Sequence, residues 1–220
     1  MRLEELKKIF GSRTKALEII YLLKGMKPVV RQGFYDNEIG RVKDFCKNND
    51  LAIKVAPYKV VLADNEKYSN KGFKAKIDDP REGMFFVYIA KDDKRAAMAA
   101  TFEFKNDHRS LGLLLGYPSC CVDFFVKNEP ERSKKDSDYV VCSLKNSKNV
   151  RHPYFKNLCK RHVDIVLLSH FPCSFDCEKS VEIGKRRMRL LHELDQNLAM
   201  KYAHQLKGRV LIRDRMVEFK

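Results

Sequence analysis

The sequence lacks the features that mark a membrane or secreted protein. No apolar run approaches the roughly 20 residues that a helix needs to span a bilayer. The first five residues, Met1-Arg2-Leu3-Glu4-Glu5, do not have the pattern of a secretory signal peptide. We therefore expect a cytoplasmic protein with no membrane association.

Short motifs that would assign an activity are also missing. The sequence has no glycine-rich phosphate loop, no dinucleotide-binding fingerprint and no Gly-x-Ser-x-Gly motif. It has no recognisable RNA-binding motif either. Function must therefore be argued from the charge of the chain and from its cysteines.

Acidic residues are few compared with basic ones. The 220 residues include 44 Lys and Arg against 29 Asp and Glu, which gives a formal net charge of +15. With 44% hydrophobic residues, the composition is that of a globular protein with a core of its own. Such an excess of positive charge favours encounters with anions. We expect RNA, another polyanion or a phosphorylated metabolite as partner or substrate, whereas the oligomeric state stays open.

The period of the apolar residues predicts an α+β fold with a helical N-terminus and a small β-sheet. Two helices are separated by Gly11-Ser12, with Ser12 as the expected N-cap of the second. The third predicted helix covers residues 37–48. Strands are predicted at 51–55, 59–62 and 84–90, and the polar stretch 64–81 is expected to be an exposed loop or a loose hairpin.

The second half of the chain is predicted to be mainly helical. Short helices are expected at 96–104, 109–115 and 118–126, and the polar, basic span 127–161 is expected to have little structure of its own. The apolar run 163–168 predicts a buried strand. A long terminal helix should cover 181–202, and 209–212 with 216–219 should form a hairpin. We divide the chain into portions 1–91 and 92–220, which together could also form one compact domain.

Two segments hold four of the seven cysteines, Gly116–Cys121 and His170–Cys177. In each, a proline precedes the cysteines and a helix is expected to begin. The N-terminus of a helix carries partial positive charge and free N–H groups, so it favours the thiolate form of cysteine. Thiols stay reduced in the cytoplasm, and the count of cysteines is odd. Metal binding, reactivity or core packing is therefore expected in preference to disulfides.

The second segment predicts a ligand group of His170, Cys173 and Cys177. Within a helix, Cys173 and Cys177 would lie on one side and could share an ion. Neighbouring helical residues point about 100° apart, so we expect only one of Cys120 and Cys121 to join them. That cysteine could be a ligand or a nucleophile, and His170 a ligand or an acid–base group. Histidine and thiolate ligands suit zinc, and three thiolates with an open position suit an iron–sulfur cluster.

Other cysteines and basic residues have simpler interpretations. Cys46 and Cys142 are expected to fill the core. Cys159 and His162, in a Cys-x-x-His spacing, could replace a member of the predicted ligand set. The basic run at 185–189 is either an anion-binding face or an ordinary solvated helix surface.

The two cysteine segments together resemble a known family. Gly-Tyr-Pro-x-Cys-Cys-x-x-Phe-Phe at 116–125, paired with His-x-Pro-Cys-Ser-x-Asp-Cys at 170–177, is similar to an archaeal family carried as domain of unknown function 483. The resemblance extends over most of the chain. It implies an archaeal cytoplasmic protein and supplies no activity, because that family has no established function.

Three hypotheses follow from the sequence. The first is a metal- or iron–sulfur-binding enzyme that acts on an anionic substrate through the Cys/His site. The second is a non-catalytic nucleic-acid-binding module whose zinc is structural. The third is a metal-free thiol redox or transfer enzyme with Cys120 or Cys121 as the nucleophile. All three require the two cysteine segments to meet in space.

Overall fold

The computed structural model describes residues 2–62, 72–135, 139–148, 164–205, 210–213 and 216–219. The chain divides into two compact units, Met1–Gly116 and Tyr117–Lys220. The boundary drawn from the sequence at 91–92 lies inside the first unit, just before a helix that packs on its sheet. Among the described residues, no helix is both long enough and apolar enough to cross a membrane.

The first unit is an α+β arrangement, as predicted. Its elements in chain order are α1 Leu3–Phe10, α2 Arg13–Leu23, β1 Val29–Phe34, α3 Asp36–Asn48, β2 Ala52–Leu62, β3 Gly72–Ala75, β4 Met84–Ala90, α4 Asp93–Phe104 and α5 His108–Leu114. The strands form an antiparallel sheet in the order β1-β4-β2-β3.

Helices lie on both faces of this sheet. Phe10 of α1 packs against Phe34 of β1 and Phe45 of α3, with ring centroids 6.2 and 5.0 Å apart. Arg31 is an odd number of residues from Phe34 along the strand, so its side chain leaves the opposite face. There it binds Glu103 of α4 in a bidentate ion pair. The first unit therefore has a core of its own.

The predicted start of α2 is confirmed in detail. Gly11 ends α1 with φ 82°, a left-handed conformation that glycine adopts without steric cost. The Ser12 hydroxyl then accepts a hydrogen bond from the Lys15 backbone N–H at 3.1 Å. The predicted helices 37–48, 96–104 and 109–115 are present as α3, α4 and α5. The capping residue Ser12 predicted the start of α2, whereas the other helices were predicted mainly from their apolar residues.

The second unit is mainly helical. Its elements are α6 Ser119–Lys135, α7 Tyr139–Lys145, α8 Glu178–Leu194, α9 Gln196–Gln205, β5 Val210–Arg213 and β6 Met216–Phe219. The terminal hairpin is confirmed, since β5 and β6 pair antiparallel. The prediction of little structure in 127–161 is wrong for α7 and for the second half of α6. Long charged side chains are compatible with a helix, so a polar, basic composition does not by itself indicate a loop. Residues 149–161 lie outside the described part.

The prediction of a strand at 163–168 is wrong, whereas the prediction that this segment is buried is confirmed. Of its described residues, Ile165, Leu167 and Leu168 are buried, yet their backbone is irregular. Side chains satisfy the carbonyl groups that a strand partner would otherwise satisfy: Tyr202 donates to Ile165 O at 2.8 Å, and Arg187 donates to Leu167 O at 2.7 Å. Apolar residues indicate burial, and they do not by themselves specify a strand.

The prediction of a single long helix near the end of the chain is also wrong. The region contains two helices, α8 and α9. They are separated at Asp195, whose backbone is extended at φ −159° and ψ 96°. The Asp195 carboxylate accepts a hydrogen bond from the Leu198 backbone N–H at 2.9 Å. Aspartate is a strong N-cap residue, so it starts α9 where the apolar periodicity alone predicts a continuous helix.

Candidate metal centre

The first cysteine segment lies at the start of α6. Gly116 has φ 80° after α5, and a Cβ there would lie 2.8 Å from Pro28 Cδ, so glycine is required. The Pro118 carbonyl accepts the first hydrogen bonds of α6, from the N–H groups of Cys121 and Val122. Cys120 and Cys121 are therefore in the first turn. Side chains in a helix tilt toward its N-terminus, so both thiols can reach the space before the first turn.

The second segment is an irregular stretch that ends at the start of α8. Cys177 is the N-cap residue of α8, and Cys173 lies outside the helix. The prediction that these two cysteines occupy one face of a helix is therefore wrong. They come together because the chain turns between them, with the Cys177 N–H donating to Ser174 O at 3.3 Å. Phe175, fully buried between them, packs in a core cluster with Leu168, Val140 and Val181.

Polar side chains of α7 and of the turn after it hold the second segment in place. Ser143 donates to Pro172 O at 2.6 Å, and Asn146 donates to Cys173 O at 2.8 Å. The Ser147 hydroxyl accepts a hydrogen bond from the Phe175 N–H at 2.7 Å. These three residues were not predicted to support the site, because they lie in the span expected to have little structure.

The two segments meet at the cysteines. The sulfur atoms of Cys120, Cys121, Cys173 and Cys177 all lie within 4.8 Å of one another. Cys177 Sγ is 3.8 Å from Cys120 Sγ and 3.7 Å from Cys121 Sγ, and the two adjacent cysteines are 3.9 Å apart. The expectation that only one adjacent cysteine would join is therefore wrong, because it applied mid-helix geometry to a first turn. Four cysteines this close could hold a metal ion.

Hydrogen bonds set the protonation of this cluster. A hydrogen bond between the Cys121 thiol and the Cys177 sulfur lowers the pKa of Cys177 to about 4. The same bond, together with burial, raises the pKa of Cys121. Burial is the largest cause that raises the pKa of Cys173 to about 11. One thiolate, at Cys177, therefore forms readily without metal, and an arriving cation must displace the protons of Cys121 and Cys173.

His170 lies beside the cysteine cluster, where it contacts Ser180 and Tyr117. Its side chain is buried, its Nε2 is 2.8 Å from Ser180 Oγ, and its ring lies 5.1 Å from that of Tyr117. Ser180 Oγ in turn lies 3.3 Å from Cys121 Sγ. The candidate metal ligands that the described residues bring together are the four cysteines, without His170. Its roles as ligand or acid–base group stay predictions. Ser180 was missed, because a buried serine has no distinctive sequence signal.

The remaining candidates are placed as follows. Cys46 is buried on α3, which confirms its role in the core, and burial raises its pKa to about 11. Cys142 is only half-buried on α7. Cys159 and His162 lie outside the described residues. In the run 185–189, Arg187 is buried and bonds to Leu167 O and Ser169, so the run is not one continuous surface.

The chain matches the model of a known protein family. The model of a family described as a protein of unknown function, DUF483, matches residues 94–205, just over half of the chain. The matched range contains both cysteine segments. No curated protein and no solved structure matches this chain.

Proposed function

This chain belongs to the DUF483 family of proteins of unknown function, and from its site we propose that it binds one zinc ion through Cys120, Cys121, Cys173 and Cys177. The zinc would be structural, joining the start of α6 to the segment before α8. The observation that carries this proposal is the mutual approach of the four sulfur atoms.

The sulfur spacing supports a single tetrahedral ion. Zinc–sulfur bonds of about 2.3 Å place the ligand atoms of a tetrahedron about 3.8 Å apart. Cys120, Cys121 and Cys177 have sulfur separations of 3.7 to 3.9 Å, and Cys173 completes the group within 4.8 Å. A four-iron cluster gives each iron one thiolate and so spreads its cysteines more widely. The spacing therefore favours one ion over an iron–sulfur cluster.

The donor set supports a structural role over a catalytic one. Catalytic zinc sites use three protein ligands and keep a fourth position for water or substrate, whereas structural sites are closed by four. Four thiolates would close this site. We therefore favour the non-catalytic hypothesis over an enzyme whose metal acts on the substrate.

Metal analysis tests this proposal directly. We expect protein purified without oxygen to be colourless and to contain one zinc per chain, with no acid-labile sulfide. Cobalt should replace the zinc and produce the intense sulfur-to-cobalt absorption of a tetrathiolate site. A brown protein with iron and sulfide would contradict the zinc assignment. Metal-free protein that takes up neither zinc nor cobalt would contradict metal binding altogether.

We propose a polyanionic partner because the chain carries a large positive charge. The net charge of +15 supports a polyanion such as RNA, and Lys185, Arg186 and Arg189 are exposed on α8, the helix that begins at the metal site. Phosphate contacts of this kind supply affinity without sequence specificity. Under this proposal the protein is a nucleic-acid-binding module organised by zinc.

The salt dependence of RNA binding tests the proposed interaction with RNA. Fluorescence anisotropy with a single-stranded RNA should show affinity that falls with salt, by a log–log slope of about −0.7 per neutralised phosphate. Lys185→Ala with Arg186→Ala should reduce that slope by about 1.4. Lys43→Ala with Lys47→Ala, which removes two exposed charges from α3, is the matched control and should change it little. No binding at low salt, or equal slopes in both double variants, would contradict the proposal.

A further inference from the structure

We infer that Ser180 and His170 are positioning residues of the metal centre, acting together on Cys121. Ser180 donates its hydroxyl hydrogen to the Cys121 sulfur, and His170 donates from Nε2 to the Ser180 oxygen. The pair thereby strengthens metal binding without contacting the metal. This inference rests on the proposed zinc site.

The distances and burial define the chain of hydrogen bonds. Ser180 lies in the first turn of α8, three residues after Cys177, and its side chain is fully buried at 0% exposure. Its Oγ lies 3.3 Å from Cys121 Sγ and 2.8 Å from His170 Nε2. His170 is itself only 7% exposed. Water therefore has little access to these contacts, and the protein groups must satisfy one another.

Metal binding fixes the direction of both hydrogen bonds. A zinc-bound thiolate has no proton, so Cys121 Sγ can only accept. The single hydroxyl hydrogen of Ser180 must then be directed at the sulfur. The Ser180 oxygen is left as an acceptor, which requires His170 to carry its proton on Nε2. The metal thus selects one tautomer of a histidine that does not bind it.

The charge of the centre explains why these donors matter. Four thiolates outweigh the double positive charge of zinc, so the centre is net negative and its sulfur atoms need hydrogen-bond donors. Cys121 is buried and receives a second donor, the Cys173 backbone N–H, at 3.3 Å. Removing the Ser180 hydroxyl would leave negative charge at this sulfur without one of its two described donors. Groups that orient metal ligands in this way typically contribute 10- to 100-fold in affinity.

Affinity measurements on substituted proteins test the inference. Zinc affinity is measured by competition with a chelator in the full-length chain, for the wild type and for Ser180→Ala, Ser180→Thr, His170→Phe and His170→Gln. Ser180→Ala should lower the affinity about 10- to 100-fold, and Ser180→Thr, which keeps the hydroxyl, should lose less. His170→Gln keeps an N–H donor and should likewise lose less than His170→Phe.

Two further readouts separate positioning from a general effect on folding. The double variant Ser180→Ala with His170→Phe should lose little more affinity than Ser180→Ala alone, because His170 acts through Ser180. The sulfur-to-cobalt absorption band of the cobalt-substituted protein should shift in Ser180→Ala. Ser169→Ala is the matched control: Ser169 accepts a hydrogen bond from Arg187, so its replacement should keep the wild-type affinity and band. Circular dichroism of each zinc-loaded variant monitors folding.

The possible failures are distinguishable. Wild-type protein that binds neither zinc nor cobalt overturns the proposed function and this inference with it. Wild-type protein that binds zinc, with Ser180→Ala and His170→Phe equal to it in affinity and cobalt spectrum, overturns this inference alone. Additive losses in the double variant would show that His170 does not act through Ser180.

Discussion

Removing the metal with a chelator, under reducing conditions, should unfold the second unit and leave the first folded. All four candidate ligands lie in Tyr117–Lys220, whereas the first unit has its own sheet and helices. Structural zinc contributes about 10–16 kcal/mol of apparent binding free energy in zinc-finger peptides near pH 7. That is comparable to the entire stability of a typical domain, about 5–15 kcal/mol. The second unit should therefore depend on its metal.

Hydrogen exchange with mass spectrometry can follow the two units separately. After chelation, amides of α6, α7 and α8 should exchange as in an unfolded chain, whereas β1, β2 and β4 keep their protection. Addition of zinc should restore protection in the second unit. Unchanged protection of α6 and α8 without metal would show that packing around Phe175 suffices, and would contradict a structural role for zinc.

Replacing a buried cysteine of the cluster should weaken zinc binding strongly. Cys121 and Cys177 are buried, and a serine in either place offers a hydroxyl in place of a soft thiolate. We expect Cys121→Ser and Cys177→Ser to lower zinc affinity more than about 100-fold, beyond the usual effect of groups that only orient ligands. Cys120 is exposed, so water can take its coordination position, and Cys120→Ser should have the smaller effect. The zinc content of each variant after dialysis against a weak chelator gives the order of the zinc affinities.

Cysteines outside the cluster provide the controls. Cys142→Ser changes a half-buried thiol on α7 and should leave zinc content unchanged. Cys159→Ser addresses the Cys-x-x-His alternative and should also have no effect if the four cysteines are the ligands. Loss of zinc in Cys159→Ser, with zinc retained in Cys173→Ser, would assign the centre to a different donor set.

Sequence reasoning succeeded where the determining interactions are local. Gly11 and Ser12 predict a helix end and the next helix start, because capping depends on a few neighbouring residues. The start of α6 after Pro118 was predicted from local signals too, whereas the second cysteine segment only ends where α8 begins. The convergence of the two cysteine segments was a hypothesis from chemistry alone, and the structure confirms it for the four sulfur atoms.

Sequence reasoning failed where tertiary contacts decide. Strand β1 was not predicted, because Arg31, Gln32 and Gly33 interrupt its apolar pattern; pairing with β4 stabilises it. The apolar run that ends at Leu168 was assigned to a strand, whereas side chains of α8 and α9 satisfy its carbonyl groups. Ser180 could not be recognised as part of the site, since its partners lie on two other segments of the chain.

The separation of the two cysteine pairs along the chain has a consequence for biosynthesis. Cys177 follows Cys121 by 56 residues. At a translation rate of about 5–20 residues per second, the adjacent pair leaves the ribosome roughly 3–11 s before Cys177. During that interval the nascent chain presents two bare vicinal thiols to cellular oxidants and to any soft metal. Under the proposed zinc site, the full ligand set is present only once Cys177, the N-cap of α8, has emerged.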